Sequence, residues 1–235
     1  MSVEEIADRI EGELRIVASP ERAVGEKAYL KSELEHLGVP VPEIRKITRV
    51  AVAGLGREEA LALAAELWPP GIHELRMAAI ETLVRHVGLL RFEDLAVAEG
   101  LIRDSRTWAY VDTIAVKIVG ELLRDDRSPL DSWVRDENFW IRRTSLLALL
   151  PGVRDGDPDL DRLTAYGDLL IGEREFFIRK ALGWVLRELA KRDPAWVRAW
   201  VRARIGEVSG VTFREAVRML PERDQTELRA AYAAR

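Results

Sequence analysis

Residues 175–192 read Glu175-Phe176-Phe177-Ile178-Arg179-Lys180-Ala181-Leu182-Gly183-Trp184-Val185-Leu186-Arg187-Glu188-Leu189-Ala190-Lys191-Arg192. Phe177, Ile178, Ala181, Leu182, Val185 and Leu189 recur at spacings of three and four, which places them on one face of a long amphipathic helix. Asp193-Pro194 closes it, because the residue before a proline is pushed out of the α region. A second line holds Lys180, Trp184, Arg187 and Lys191 at i, i+4, i+7 and i+11, so three cations and an indole share a neighbouring stripe. Two readings of that stripe are open. One is a solvated face with a tryptophan tucked into the core. The other is a surface for a polyanion with flat parts, for which nucleic acid is the obvious candidate.

Helical periodicity continues outward through almost the whole chain. Ser2, with Glu5 three residues on, makes a capping-box start for a helix to about Val17. Ser19-Pro20 opens a second helix expected to run to Gly38, and Pro42 a third. Further helices are expected over Arg57–Trp68, His73–Val87, Arg91–Ile102, Trp108–Arg124, Pro129–Asp136, Asn138–Leu150 and Leu160–Ile171. After the helix at 175–192 come Pro194–Ile205, Thr212–Met219 and Asp224–Ala234. The stretch Pro151–Asp159, rich in Gly, Asp and Pro, reads as a turn between repeats. No alternating strand pattern is present, so the fold class is all-α. Helical pairs of roughly 40 residues fit a degenerate HEAT-like solenoid, and a globular bundle remains open on periodicity alone.

The totals exclude several classes. The chain has 235 residues, ordinary hydrophobic content, no cysteine and a net charge of −4. That composition is globular, and it rules out disulfides and thiolate zinc sites. No apolar run reaches the roughly 20 residues of a membrane span, since Lys117 and Glu121 interrupt the best candidate. Met1-Ser2-Val3-Glu4-Glu5 is no signal peptide, so a cytoplasmic protein is expected. Charge is unevenly spread. Residues 1–100 carry 12 basic and 18 acidic side chains, residues 101–173 carry 10 and 14, and residues 174–235 carry 14 and 8. The C-terminal quarter is therefore net cationic on an otherwise acidic chain, which suits one cationic face.

Two side chains are out of keeping with a plain core. Asp112 borders the stripe Val111, Ile114, Ala115, Ile118, Val119 and Leu122, one turn after Trp108 and on its face. A carboxylate there must be solvated, paired or functional. In Asn138-Phe139-Trp140-Ile141-Arg142-Arg143, Arg143 shares a stripe with Trp140 and Leu147, as the partner of a core carboxylate, as a phosphate contact, or as both. His36, His73 and His86 are scattered and lack His-x-x-x-His spacing, so no metal site is expected. There is no phosphate-binding glycine loop and no Gly-x-Ser-x-Gly elbow. Any enzyme chemistry is expected to need neither metal nor cofactor, and to rest on a carboxylate, an arginine and aromatics.

Together these segments resemble the DNA alkylation repair family of AlkD-type glycosylases. The resemblance lies in Trp108-Ala109-Tyr110-Val111-Asp112, in Asn138–Arg143, and in Glu175–Glu188, the longest and most specific piece. It extends more weakly to Tyr29-Leu30-Lys31, Leu67-Trp68, Glu74–Ala79 and Arg214-Glu215-Ala216. It implies one HEAT-like solenoid domain over 1–235 with a concave DNA-binding groove, a monomer without a membrane partner. The implied activity is excision of cationic N-alkylated purines, 3-methyladenine and 7-methylguanine, from duplex DNA. By motif, Asp112 is then the catalytic carboxylate, Trp108 and Trp184 flank the deoxyribose, and Arg143 holds the backbone nearby. Arg187, Lys180, Lys191, Arg214 and Tyr29 are the expected DNA contacts. Ala109 departs from the acid that often follows the first tryptophan in relatives. The rival reading is a HEAT-like scaffold that binds DNA or a protein and catalyses nothing.

Overall fold

The computed structural model describes residues 1–235. Apart from an isolated parallel bridge between Glu35 and Ile72, every regular element is a helix. The chain forms two compact units, residues 1–118 and 119–235. No helix is long and apolar enough to cross a membrane.

The first unit holds α1 (Val3–Ile16), α2 (Pro20–Leu30), α3 (Val41–Ala51), α4 (Arg57–Leu67), α5 (His73–Arg85), α6 (Leu95–Asp104) and α7 (Trp108–Ile114). Each starts where the sequence provides for it. Ser2 and Glu5 close the capping box of α1, Ser19 caps α2, and Thr107 caps α7 by accepting from the amide of Ala109. Helix α5 is the centre of the unit. It packs on α1, α3, α4 and α7, and ten of its side chains from His73 to Leu83 are buried. Helix α2 is the opposite case, with no buried residue.

A π-helical turn, Ala115–Val119, leads from α7 into α8 (Gly120–Leu122). The second unit continues with α9 (Pro129–Trp133), α10 (Phe139–Leu147), α11 (Leu150–Asp155), α12 (Leu160–Leu170), α13 (Phe176–Ala190), α14 (Pro194–Ala203), α15 (Gly210–Ala216) and α16 (Glu222–Ala233). Helix α13, the 175–192 stretch, is the hub and packs on α10, α11, α12, α14 and α15. Its expected apolar face is buried at Ile178, Ala181, Leu182, Val185 and Leu189. Glu175 caps its start, and Asp193 caps the start of α14.

Two stretches differ most from the sequence reading, beside smaller shifts such as the start of α6 at Leu95 and the π turn that interrupts the helix expected over Trp108–Arg124. Helix α2 stops at Leu30, eight residues short of Gly38, because Lys31 turns left-handed (φ 51°). The segment behind it is drawn onto α5. Glu35 bridges Ile72, and the Glu74 carboxylate accepts from the amides of Leu37, Gly38 and Val39 at 2.9, 2.7 and 3.2 Å. Those bonds satisfy backbone that a longer helix would have paired internally. Gly38 (φ +76°) lets that backbone lie against Ser19 and Ala23, where a Cβ would collide. The second difference is α11. Pro151–Asp159 is not all turn, since a buried helix occupies Leu150–Asp155 and ends on left-handed Gly156. Pro151 falls in the first turn, where a proline removes no helical bond.

Candidate nucleic-acid interface and carboxylate site

In the first unit the site begins with the rotation of α7. Tyr110 is almost fully buried, and its hydroxyl lies 2.6 Å from His73 Nδ1. Its ring meets Trp68 edge-on at 5.6 Å, and the Trp68 indole N–H donates to Asp104 at 2.7 Å. Asp104 also pairs with Arg76 at 3.0 Å, whose guanidinium lies over the Trp68 ring. Positions 108 and 112 are each two residues from Tyr110, about 200° around the helix. Anchoring Tyr110 inside therefore turns Trp108 and Asp112 together towards the opposite side, and both are half-buried. The π turn follows directly, a feature that often accompanies functional residues. Tyr29 joins this group from α2. It is 74% exposed and meets the Trp108 ring edge-on. Beside the start of α7 an open hollow of about 330 Å³ is lined by Lys31, Arg76, Asp104, Arg106 and Thr107.

In the second unit the cationic stripe of α13 is real but not bare. Lys180 and Arg187 both bind the carboxylate of Glu215 on α15, and Lys191 pairs with Glu188 at 2.7 Å. Trp184 lies between the first two and is half-buried, so it is neither a core tryptophan nor a free one. Gly183 makes the arrangement possible. A Cβ there would lie 2.6 Å from that of Glu215 and 3.1 Å from the Thr212 carbonyl oxygen, so only glycine admits α15 this closely. Burial pushes the Glu215 carboxyl up, but the hydrogen bond from Lys180 and the charges of Arg187 and Lys180 outweigh it, and its pKa is lowered. Arg214, next to Glu215, is exposed.

Arg143 lies deeper than the sequence alone suggests. It is 3% exposed, donates to the Phe177 carbonyl and lies 5.9 Å from that ring's centroid. Phe139 and Trp140 of α10 meet Phe177 of α13 in an aromatic cluster, and Phe176 at its edge is 53% exposed. Within units, then, Tyr29 meets Trp108, with Asp112 on the same face of α7, and Lys180 and Arg187 converge on Glu215 on either side of Trp184. Lys191 is held by Glu188, and Arg214 lies exposed near Gly210. Sequence reasoning missed the role of Glu215. The acid is visible in Arg214-Glu215-Ala216, but no local spacing ties it to a helix about 30 residues earlier.

The family model described as DNA alkylation repair enzyme matches residues 10–220. A solved structure described as a predicted DNA alkylation repair enzyme from Enterococcus faecalis superposes with a TM-score of 0.77 at 24% identity. It covers 87% of this chain and 97% of that one. The crystal structure of AlkD2 from Streptococcus mutans matches with a TM-score of 0.60 at 17% identity, covering 86% and 99%. The smu.31 structure from Streptococcus mutans UA159 does so at 0.60 and 16%, covering 77% and 93%. At these identities the structures establish the fold, an all-α HEAT-like helical repeat. No curated protein matches the chain.

Proposed function

The chain belongs to the DNA alkylation repair enzyme family, and from that premise we propose that it is a monofunctional DNA glycosylase that releases cationic N-alkylated purines, 3-methyladenine and 7-methylguanine among them, from duplex DNA. The observation that carries this reading is Asp112, half-buried one turn after Trp108 on a helix whose rotation is fixed by buried Tyr110.

The chemistry needs little more. An N-alkylated purine carries a positive charge, so its bond to C1′ is weakened and the leaving base needs no proton. As the C1′–N bond breaks, its electron pair neutralises the purine and positive charge moves onto the sugar. A carboxylate beside C1′ stabilises that charge and takes the proton of the water that adds to C1′, giving an abasic product. Indole faces on the sugar add about 1–2 kcal/mol of cation–π attraction. A tenfold rate gain takes about 1.4 kcal/mol, so the carboxylate supplies the larger share. In this reading Tyr29, Trp108 and Asp112 serve the lesion from the first unit. In the second unit Trp184, Lys180, Arg187, Lys191 and Arg214 are the DNA contacts of this reading, while Arg143, buried against the Phe177 carbonyl, supports α13 from within. A carboxylate in the place of a Schiff-base lysine means that no strand nick accompanies release.

The test is single-turnover release of 7-methylguanine from a defined duplex, comparing wild type with Asp112→Asn. Release that falls by orders of magnitude in the variant, with duplex binding kept, supports the glycosylase. No release from wild type on 7-methylguanine or 3-methyladenine duplexes moves the assignment to a non-catalytic DNA-binding scaffold.

A further inference from the structure

Away from the proposed lesion site, the first unit holds a cluster that the repair chemistry does not use. Glu26 of α2, His36 of the following segment and Glu74 at the start of α5 each aim a ligand atom into one small space, all within 4.8 Å of one another. Glu74 is completely buried, and its partners are the amides of Leu37, Gly38 and Val39. Both ring nitrogens of His36 and Oε2 of Glu26 are shielded from solvent and have no hydrogen-bond partner. The other Glu26 oxygen accepts from Arg22 at 2.6 Å. The His36 ring is stacked on His73, with 4.4 Å between centroids and 8° between planes, which fixes its direction.

We propose that Glu26, His36 and Glu74 form a binding site for a divalent transition metal of the zinc class, which ties α2 to the first turn of α5. One neutral imidazole and two carboxylates, with water in a fourth position, is a donor set for zinc or its first-row neighbours. Magnesium and calcium favour oxygen alone. The unpartnered ligand atoms argue for a cation over a buried water. Two carboxylates converge on an imidazole whose two nitrogens are both unpartnered, and a single water, which cannot satisfy all of these atoms, leaves them short of a donor. A tetrahedral zinc with bonds of about 2.0–2.1 Å separates its ligands by roughly 3.4 Å. The half-buried Glu26 side chain is the one with freedom to close the remaining gap.

The location gives the site a purpose. Helix α2 buries no side chain, yet it carries Tyr29, one turn after Glu26, to the edge of Trp108. A metal staple from Glu26 to His36 and Glu74 supplies the anchor that α2 lacks in apolar packing, and holds Tyr29 against the indole.

The full-length protein, stripped with chelator, is titrated with Zn²⁺ by calorimetry and with Co²⁺ by visible absorption. The expected result is one equivalent per chain at micromolar affinity or tighter, Co²⁺ bands that Zn²⁺ displaces and Mg²⁺ does not, and a raised Tm. Glu26→Gln and His36→Asn, each folded by circular dichroism, are expected to weaken binding by about tenfold or more. Should a variant not fold, the wild-type protein decides the matter. Co²⁺ must then shift the ring protons of His36 in the NMR spectrum ahead of those of His86. Absence of saturable binding, unchanged affinity in both variants, or Co²⁺ shifts centred elsewhere overturns the assignment.

Discussion

The Tyr29 ring meets the Trp108 indole edge-on, with 6.1 Å between centroids and planes at 90°. Tyr29 is 74% exposed, so its truncation touches no core. Edge-to-face pairs contribute about 0.5–1.5 kcal/mol, and here that energy fixes the orientation of an indole assigned to the sugar. Tyr29→Ala is expected to shift the urea midpoint by less than about 0.5 kcal/mol in stability while slowing single-turnover excision roughly two- to tenfold. A rate equal to wild type, in an assay where Trp108→Ala is inactive, removes Tyr29 from the site.

Glu215 neutralises two of the cations assigned to DNA, Lys180 and Arg187, and its own side chain is only 13% exposed. Glu215→Gln keeps the shape and removes the charge. Both cations are partly solvated, so the loss of stability is expected to be about 1–2 kcal/mol and not the larger cost of a fully buried pair. Duplex affinity is expected to rise, and the slope of log K against log salt to steepen by about one. Filter-binding or anisotropy titrations at several salt concentrations read both. An affinity that falls shows that these cations face the protein and not the phosphates.

How much of this was legible beforehand depended on whether the signal was local. The apolar face of α13 and the capping box of α1 lie within single helices, and their residues fixed them. The end of α2 is not legible in the sequence, because its stop is a left-handed lysine, which carries no sequence signature, with Glu74 some 40 residues on holding the next segment. Pro151-Gly152 looked like a turn, but a proline in a first helical turn is harmless and burial decided for helix. The stripe Lys180, Trp184, Arg187 lies within one helix and is legible as a face, while its counter-ion comes from α15 and leaves no local signal. The same holds for Glu26, His36 and Glu74, whose convergence depends on three separate elements. The carboxylate at Asp112 was visible from its misfit with an apolar stripe, and its orientation follows from Tyr110.

The buried Tyr110–His73 pair predicts an acid sensitivity. Burial, with a smaller effect of neighbouring His36, pushes the His73 imidazole down to about 3. In the unfolded chain the ring takes up a proton near pH 6.5, where the folded ring does not. The unfolded state thus binds more protons between those values, and stability falls as pH drops from about 6.5 towards 3, by up to about 1.4 kcal/mol per pH unit. Above about pH 7 the contribution is complete. Carboxylates held low, such as Glu215, lose theirs only below the ordinary carboxyl range, so the window from about 4.5 to 6.5 isolates the imidazoles. Urea unfolding of metal-free wild type and His73→Gln at steps of pH is expected to show a shallower dependence in the variant. Parallel curves remove His73 as the source.

Two glycine substitutions are expected to act with opposite signs. In an exposed helix, replacing glycine by alanine stabilises by about 0.5–1 kcal/mol, because it restricts the unfolded chain. Gly12 of α1 meets that condition, since a Cβ there has nothing within 4 Å. Gly183 has the same local preference, but its new methyl group would press on Glu215 and the Thr212 backbone where α15 packs against α13. The Thr212 backbone is part of a capped helix turn, with Ser209 accepting from its amide, and cannot give way cheaply. Overpacking of this kind costs about 1–3 kcal/mol and exceeds the helical gain. Gly183→Ala is therefore expected to lower the urea midpoint where Gly12→Ala raises it. It is also expected to change the salt dependence of duplex binding, since it moves Glu215 away from Lys180 and Arg187. A Gly183→Ala protein as stable as wild type, with the same salt slope, means that α15 can retreat at no cost and that Gly183 does not set the position of Glu215.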